Sequence, residues 1–157
     1  MSNNPRNDIY YTASLLEYLS RKTKNRRADV ARLLGVKGIS GVYEFAEVNH
    51  CLSFDQVADE LIEACHIPQG DYDPEQYFID HGEEIPAPTR IGKSYANLVC
   101  DIQPDPLKYP QALYDILCSK ISEWMTDYYS AFYYSPRDYI LYRYKLLREA
   151  QTEQTSA

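Results

Sequence analysis

Apolar residues recur at steps of three and four along most of this chain, and strand-like alternation is weak throughout, which predicts an all-α fold. Ile9, Ala13, Leu16 and Leu19 form one stripe running toward Thr23, so a first amphipathic helix is expected to open near Asn7 or Asp8. Its polar flank carries Glu17, Arg21 and Lys22. Asn25 is placed to cap a second helix over residues 26 to 34, with Val30, Leu33 and Leu34 on its apolar side and Gly35 as its stop. A third element spans about residues 39 to 49, with Val42, Phe45, Ala46 and Val48 as core candidates; Gly38 and Gly41 blur its start. Ser53 and Gln56 make a capping-box pair, in which the serine oxygen takes one free backbone N–H and the glutamine side chain returns to another. The helix they open continues through Val57, Leu61, Ile62 and Ala64 to about Cys65.

Pro68 and Gly70 end that helix, and residues 68 to 89 read as a connector punctuated by Pro74, Gly82, Pro86 and Pro88, with Tyr77, Phe78 and Ile79 as its anchors. Loops this long inside a compact domain are uncommon and are often functional or mobile. Beyond it, residues 91 to 102 predict a helix that Pro104 and Pro106 break. Pro110 then suits the first position of a long helix, whose stripe is Leu113, Leu117, Ile121, Trp124 and Tyr128. Ser135 and Pro136 restart the pattern as cap and first residue of a last helix carrying Tyr139, Ile140, Tyr142, Arg143, Leu146 and Leu147; the tail after Glu149 is expected to fray. The expectation is a compact all-α bundle of about seven helices with a long, acidic loop rich in Pro and Gly. Residues 1–67 would form an N-terminal helical part, 68–89 the acidic connector, 90–150 a tyrosine-rich helical part and 151–157 the tail, together one compact domain.

Charge sharpens this picture, because it is sorted along the chain. From Arg21 to Lys37 seven of seventeen residues are Lys or Arg, whereas Asn49 to Thr89 holds ten Asp or Glu and neither Lys nor Arg. Divided after Val48 and after Thr89, the formal charge runs +3, −10 and 0. A basic and an acidic surface on one small protein imply different partners, or each other. There are also sixteen tyrosines, seven of them between Tyr128 and Tyr144. Tyrosine joins a large apolar face to a polar tip, which suits both a half-buried helix edge and a recognition surface.

No run approaches the roughly 18 apolar residues that cross a bilayer, and the first residues resemble no secretory signal, so a cytoplasmic protein that does not enter membranes is expected. Cys51, Cys65, Cys100 and Cys118 are far apart and read as free thiols. The pairs His50-Cys51 and Cys65-His66 have the chemistry of zinc ligands, but a helix between them would hold them about 20 Å apart. Asp71, Asp73 and Glu75 alternate as in a calcium loop, yet Gln76 and Gly82 stand where that loop needs glycine and glutamate. No metal and no cofactor is therefore expected. Asp80-His81 is an acid–histidine pair in a loop, and an enzyme assembled around His50 or His81 is kept as one reading.

The basic stretch suggests another. Ala31 and Gly35, four positions apart between Arg27 and Val36, match the small-residue spacing of a helix-turn-helix, with Arg21, Lys24, Arg26, Arg27 and Arg32 as candidate nucleic-acid contacts. The segment that would read bases carries Glu44 and Glu47 and no Arg, Lys, Asn or Gln between Ile39 and Val48, so these cations would position phosphates without specifying sequence.

Leu16-Glu17-Tyr18, Arg21-Lys22-Thr23, Val48-Asn49-His50 and Asp59-Glu60-Leu61-Ile62 resemble a small bacterial family, a domain of unknown function often encoded beside toxin-like proteins. The resemblance covers about the first seventy residues, and Cys51 departs from it. It implies an accessory, antitoxin-like role and no established active site. The leading expectation is thus a non-enzymatic protein that binds another protein, basic or toxin-like, through Asp55, Asp59 and Glu63 together with Tyr129, Tyr133 and Tyr134. Pairing of the basic stretch of one chain with the acidic helix of a second would give a homodimer.

Overall fold

The computed structural model describes residues 3–155, apart from the side chains of Tyr129 and of residues 153–155. Its centre is α1 (Pro5–Thr23), which starts earlier than expected because Asn4 Oδ1 accepts the Asn7 N–H at 3.1 Å and Pro5 takes the first helical position. This helix is buried on nearly every side, including Thr12, Ser14 and Ser20. Thr12, Ser20 and Thr23 meet that burial by donating their hydroxyls to carbonyls four residues back, at 2.7 to 2.8 Å.

Around α1 lie α2 (Arg27–Glu44), α3 (Ala46–Asn49), α4 (Phe54–Cys65), α5 (Gln76–Asp80), α6 (Pro88–Ile102), α7 (Tyr109–Leu117), α8 (Lys120–Thr126) and α9 (Arg137–Thr155). Among the described residues there is no β-strand, and no helix is long and apolar enough to cross a membrane. The most extensive packing is α1 against α6; α2 and α4 also pack on α1, and α7 and α9 on α6. One cluster of buried apolar side chains draws Ile9, Leu16 and Leu19 from α1 together with Ile91, Tyr95, Leu113, Ile121 and Ile140 from beyond the connector.

The capping box at Ser53 is present, with Ser53 Oγ 3.1 Å from the Gln56 N–H and Gln56 Oε1 3.2 Å from the Ser53 N–H. Gly35 breaks helical geometry at φ +68°, ψ 171°, so the stop expected there is present; residues 36–44 resume as a second helical stretch at once, and α2 is two stretches joined at a kink. The connector is tied to the end of α1: Gly70 N–H donates to Thr23 O at 2.7 Å, Tyr72 N–H to Lys24 O at 2.9 Å, and Asn25 Nδ2 to Pro68 O at 2.8 Å. Within it α5 inserts Phe78 into the core, while Tyr77 and Ile79 stay exposed.

Two expectations fail in the C-terminal half. The long helix from Pro110 is two helices, because Ser119 adopts an extended backbone and its Oγ caps α8 through the Ile121 N–H at 3.2 Å. The last helix does not fray after Glu149; α9 runs on to Thr155. Two short 3-10 turns, Tyr128–Ser130 and Phe132–Tyr134, join α8 to α9 through Ala131 in the left-handed region at φ +59°.

The α1–α6 contact depends on one glycine. A methyl group built at Gly92 would sit 2.7 Å from both N and Cα of Ser14. Gly92→Ala is therefore expected to destabilise the protein by at least about 1–3 kcal/mol, as overpacking of a tight contact does. Denaturant midpoints check this, and Ser14→Gly, which removes the Oγ clash but leaves the backbone ones, should restore stability to Gly92→Ala only in part.

Candidate functional site

The residues that carry the sorted charge meet at one end of α1. Glu17 lies on the same face of α1 as Ala13, and α1 is so deeply enclosed that its carboxylate is 1% exposed. A buried carboxylate needs full compensation. Arg27, the first residue of α2, supplies it in bidentate form: Nε donates to Oε1 at 2.9 Å and Nη2 to Oε2 at 2.6 Å. The Tyr128 hydroxyl donates to Oε2 at 2.6 Å and accepts from Arg27 Nη2 at 3.0 Å. Arg21, one turn along α1, adds Nε at 2.8 Å and lies over the Tyr128 ring, 5.1 Å from its centroid. Arg27 is itself only 3% exposed.

Burial alone would raise the Glu17 pKa, but the charge and hydrogen bonds of Arg27, the charge of Arg21 and the Tyr128 hydroxyl together outweigh it and hold the carboxyl at about 2. The Arg27 guanidinium is opposed by burial and held charged by Glu17, and burial followed by the Glu17 charge pushes the Tyr128 hydroxyl well up. A carboxylate so firmly ionised, with Oε2 accepting three donors, neither supplies a proton near neutral pH nor is open to a substrate. The cluster is a clamp that joins α1, α2 and the turn after α8.

The rest of the basic stretch is also engaged within the chain. Lys22 Nζ pairs with Asp55 and, at 2.8 Å, with Asp59 of α4; the Tyr18 hydroxyl adds a hydrogen bond to Asp55 at 3.0 Å. Lys24 Nζ lies 3.7 Å from Asp73, and Arg21 Nε 3.6 Å from Glu75. Arg26 stacks over the Tyr72 ring at 4.4 Å, and Arg32 makes a loose, exposed contact with Asp29 at 3.4 Å. Of the five cations proposed for nucleic acid, Arg27 is thus sealed inside and Arg21 nearly so; Lys24, Arg26 and Arg32 remain exposed. The helix-turn-helix geometry needs a turn of three or four residues, whereas here Gly35 alone separates the two stretches of α2.

The candidate protein-binding residues divide in the same way. Asp55 and Asp59 serve Lys22 yet keep about 60% of their side chains exposed, at 59% and 62%, and Glu63 is exposed. Tyr133 is buried, whereas Tyr134 is 61% exposed beneath Arg90, whose guanidinium lies 4.7 Å from its ring centroid. The side chain of Tyr129 lies outside the described residues. The acidic α4 is carried by α1, whereas Tyr133 and Tyr134 sit in the turn that packs on α8, so the two groups lie on different elements.

Sequence periodicity missed one surface. Tyr139, Tyr142 and Leu146 were assigned to the last helix without a side; α9 turns Ile140 and Tyr144 into the core and leaves those three 41–57% exposed on a single stripe. The signal was present as a second apolar stripe, which one packed face cannot absorb. Arg143 borders it, 4.5 Å from the Trp124 ring centroid and donating to the Tyr139 hydroxyl at 2.9 Å. Among the histidines, His50 is exposed, His66 ends α4 in the left-handed region, and His81 stacks on Tyr77 at 4.0 Å with Nδ1 2.7 Å from the Tyr77 carbonyl. Comparison with protein-family models, with curated proteins and with solved structures returned no match to this chain.

Removing the charge of Glu17 while keeping its shape tests the clamp. Glu17→Gln leaves the buried Arg27 cation unpaired and is expected to cost about 3–5 kcal/mol of unfolding free energy. The folded pKa of about 2 lies below the ordinary 4.5, so this contribution is complete above pH 4.5 and is lost as the pH falls through about 2. Urea denaturation followed by the single tryptophan, Trp124, should show a steeper loss of stability over that window in the wild type than in Glu17→Gln.

Proposed function

We propose that this chain is a non-enzymatic bacterial accessory protein that binds another protein, in an antitoxin-like role. The observation that carries this reading is the exposed stripe of Tyr139, Tyr142 and Leu146 on α9, with Tyr134 exposed on the preceding turn. Large aromatic side chains left on the surface of a helix whose other side is buried are the typical anchors of a protein interface. The internal use of the basic stretch adds to it: with Arg21, Lys22 and Arg27 engaged by their own chain, the outward charge is dominated by acids such as Glu60, Glu63, Asp71, Glu83 and Glu84. An acidic surface of this kind speeds and orients encounter with a basic protein while the aromatic contacts supply affinity.

The nucleic-acid reading is weaker on the same grounds. Its most central cation is buried, and Arg26 is stacked on Tyr72. Lys24, Arg26, Arg32 and Lys37 are too few exposed cations for the steep salt dependence of a dedicated DNA binder.

Affinity capture from the native cell, with wild type and a Tyr139→Ser/Tyr142→Ser/Leu146→Ser variant side by side, tests the proposal. A single basic protein held in stoichiometric amount by the wild type and lost by a variant that stays folded is the expected result. Capture unchanged by the triple substitution would remove the α9 surface from the reading. On duplex DNA, retention at low salt that Arg26→Ala/Arg32→Ala abolishes would favour the nucleic-acid alternative instead; none is expected.

A further inference from the structure

We infer that the outer face of the run from Gly41 to Leu52 is a docking surface for a basic amphipathic helix of a partner protein. The inference rests on the reading of this chain as a binder of a basic protein, and names where and in what form that protein is held.

Phe45 both ends α2 and opens α3, and helical turns carry on past it. Its N–H donates to the Gly41 carbonyl at 3.2 Å, the Asn49 N–H to Phe45 O at 2.8 Å, the His50 N–H to Ala46 O at 2.9 Å and the Leu52 N–H to Asn49 O at 2.9 Å. At about 100° per residue, positions 41, 45, 48 and 52 fall within about 60° of one another, on a single stripe. The expectation that Val42, Phe45, Ala46 and Val48 all enter the core holds for two of them. Val42 and Ala46 are 5% and 2% exposed, whereas Phe45, Val48 and Leu52 are 58%, 67% and 41% exposed. Gly41 leaves the head of the stripe bare, since a methyl group built there would meet nothing within 4 Å. Three large apolar side chains at i, i+3 and i+7 are the spacing by which one helix seats another.

The backbone decides the form of the occupant. Among the described residues there is no β-strand, and the N–H and C=O groups of this run are spent on its own turns, so an extended peptide would find its own backbone groups unanswered. A second helix brings its backbone already satisfied and offers side chains alone; about three turns of it cover the roughly 16 Å from Gly41 to Leu52. Charge then fixes its sign. Glu44 and Glu47 flank the stripe, both exposed and neither in an ion pair among the described residues. Neither Lys nor Arg occurs from Gly38 to Thr89. An acidic helix would be repelled here and a basic one drawn in. The α9 stripe differs, having Arg143 and Lys145 as well as acids beside it, so the two faces can be tested apart.

The probe is a fluorescein-labelled peptide of about 18 residues with Leu along one helical face and Lys elsewhere, titrated with the full chain and read by anisotropy. A peptide of the same composition with its Leu spread round the helix, and one with Glu in place of Lys, are the controls. Saturable binding of the Leu/Lys helix, at least about tenfold tighter than either control, is the expected result. Phe45→Ser/Val48→Ser should weaken it at least about tenfold and Glu44→Gln/Glu47→Gln about threefold at low salt, while Ile79→Ser, an equally exposed apolar position elsewhere, should leave it unchanged. If the double substitution at 45 and 48 loses the fold, Val48→Ser alone, at the most exposed of the three positions, decides. No saturable binding, equal binding of a control, or affinity unchanged by these serine substitutions would overturn the surface. Self-association of the wild type that Phe45→Ser/Val48→Ser abolishes, seen by sedimentation, would make a second copy the occupant and overturn it equally. Cellular capture lost with the α9 variant and kept with Phe45→Ser/Val48→Ser would leave the protein-binding reading standing without this face.

Discussion

The carboxylate of Glu17 is the constraint on which the rest of this fold is arranged. An ion 1% exposed is tolerable only if its partners arrive with good geometry, and here they arrive from three parts of the chain: Arg21 one turn away, Arg27 across the end of α1, and Tyr128 from 111 residues further on. Each partner brings an element with it. Arg27 sets the angle at which α2 leaves α1, and Tyr128 brings in the turn that follows α8. Phe78 then packs on the Tyr128 ring at 5.8 Å, so α5 and the connector around it are organised by a side chain that the clamp has already positioned.

The segregation of charge along the sequence is resolved by the same end of α1. Basic residues clustered at the close of one helix would repel each other if left alone, and the acidic connector and α4 come back over them. The energies are unequal. The pairs of Lys22 and Lys24 with their carboxylates lie at the surface, where solvent screens them, so they orient α4 and the connector without holding them. Gly70, Tyr72 and Asn25 do the holding, through backbone and amide hydrogen bonds to the α1 terminus. This explains how a stretch with the composition of a loose loop is ordered: its sequence looks like solvent-exposed linker because its anchors are main-chain groups, which composition does not register.

Helix content and most boundaries were legible because they rest on local chemistry: the Ser53–Gln56 box, the stop of α4 before Pro68, the interruption at Gly35 and the apolar stripes of α1 and α6. The failures have a common cause. Leu117, Ile121 and Trp124 stay in helical phase across Ser119, so periodicity reports one helix where the serine cap makes two. Tyr139, Ile140, Tyr142 and Leu146 were given to one helix without a side, and only the packing of α9 on α6 decides that Ile140 and Tyr144 go inward. Glu17 was read as a solvated flank because a charged residue next to Arg21 and Lys22 is usually exposed; its burial depends on Tyr128, which no local window contains. The candidate acidic site was legible as a charge pattern, whereas its partial neutralisation by Lys22 was a matter of tertiary structure.

The single helix α1 therefore handles buried polar groups in two opposite ways. Around Glu17, and at Thr12, Ser20 and Thr23, most polar atoms below the surface have partners supplied by the chain, Arg21 Nη2 excepted. One to three turns toward the N-terminus, Asp8, Tyr11 and Ser14 are buried to a similar extent and lack partners among the described residues. Burial is common to both ends, so it cannot be the reason for the difference. Ser14 Oγ faces the bare Gly92 of α6, where the two helices approach too closely to admit a Cβ, so this unpaired hydroxyl belongs to the tight α1–α6 contact.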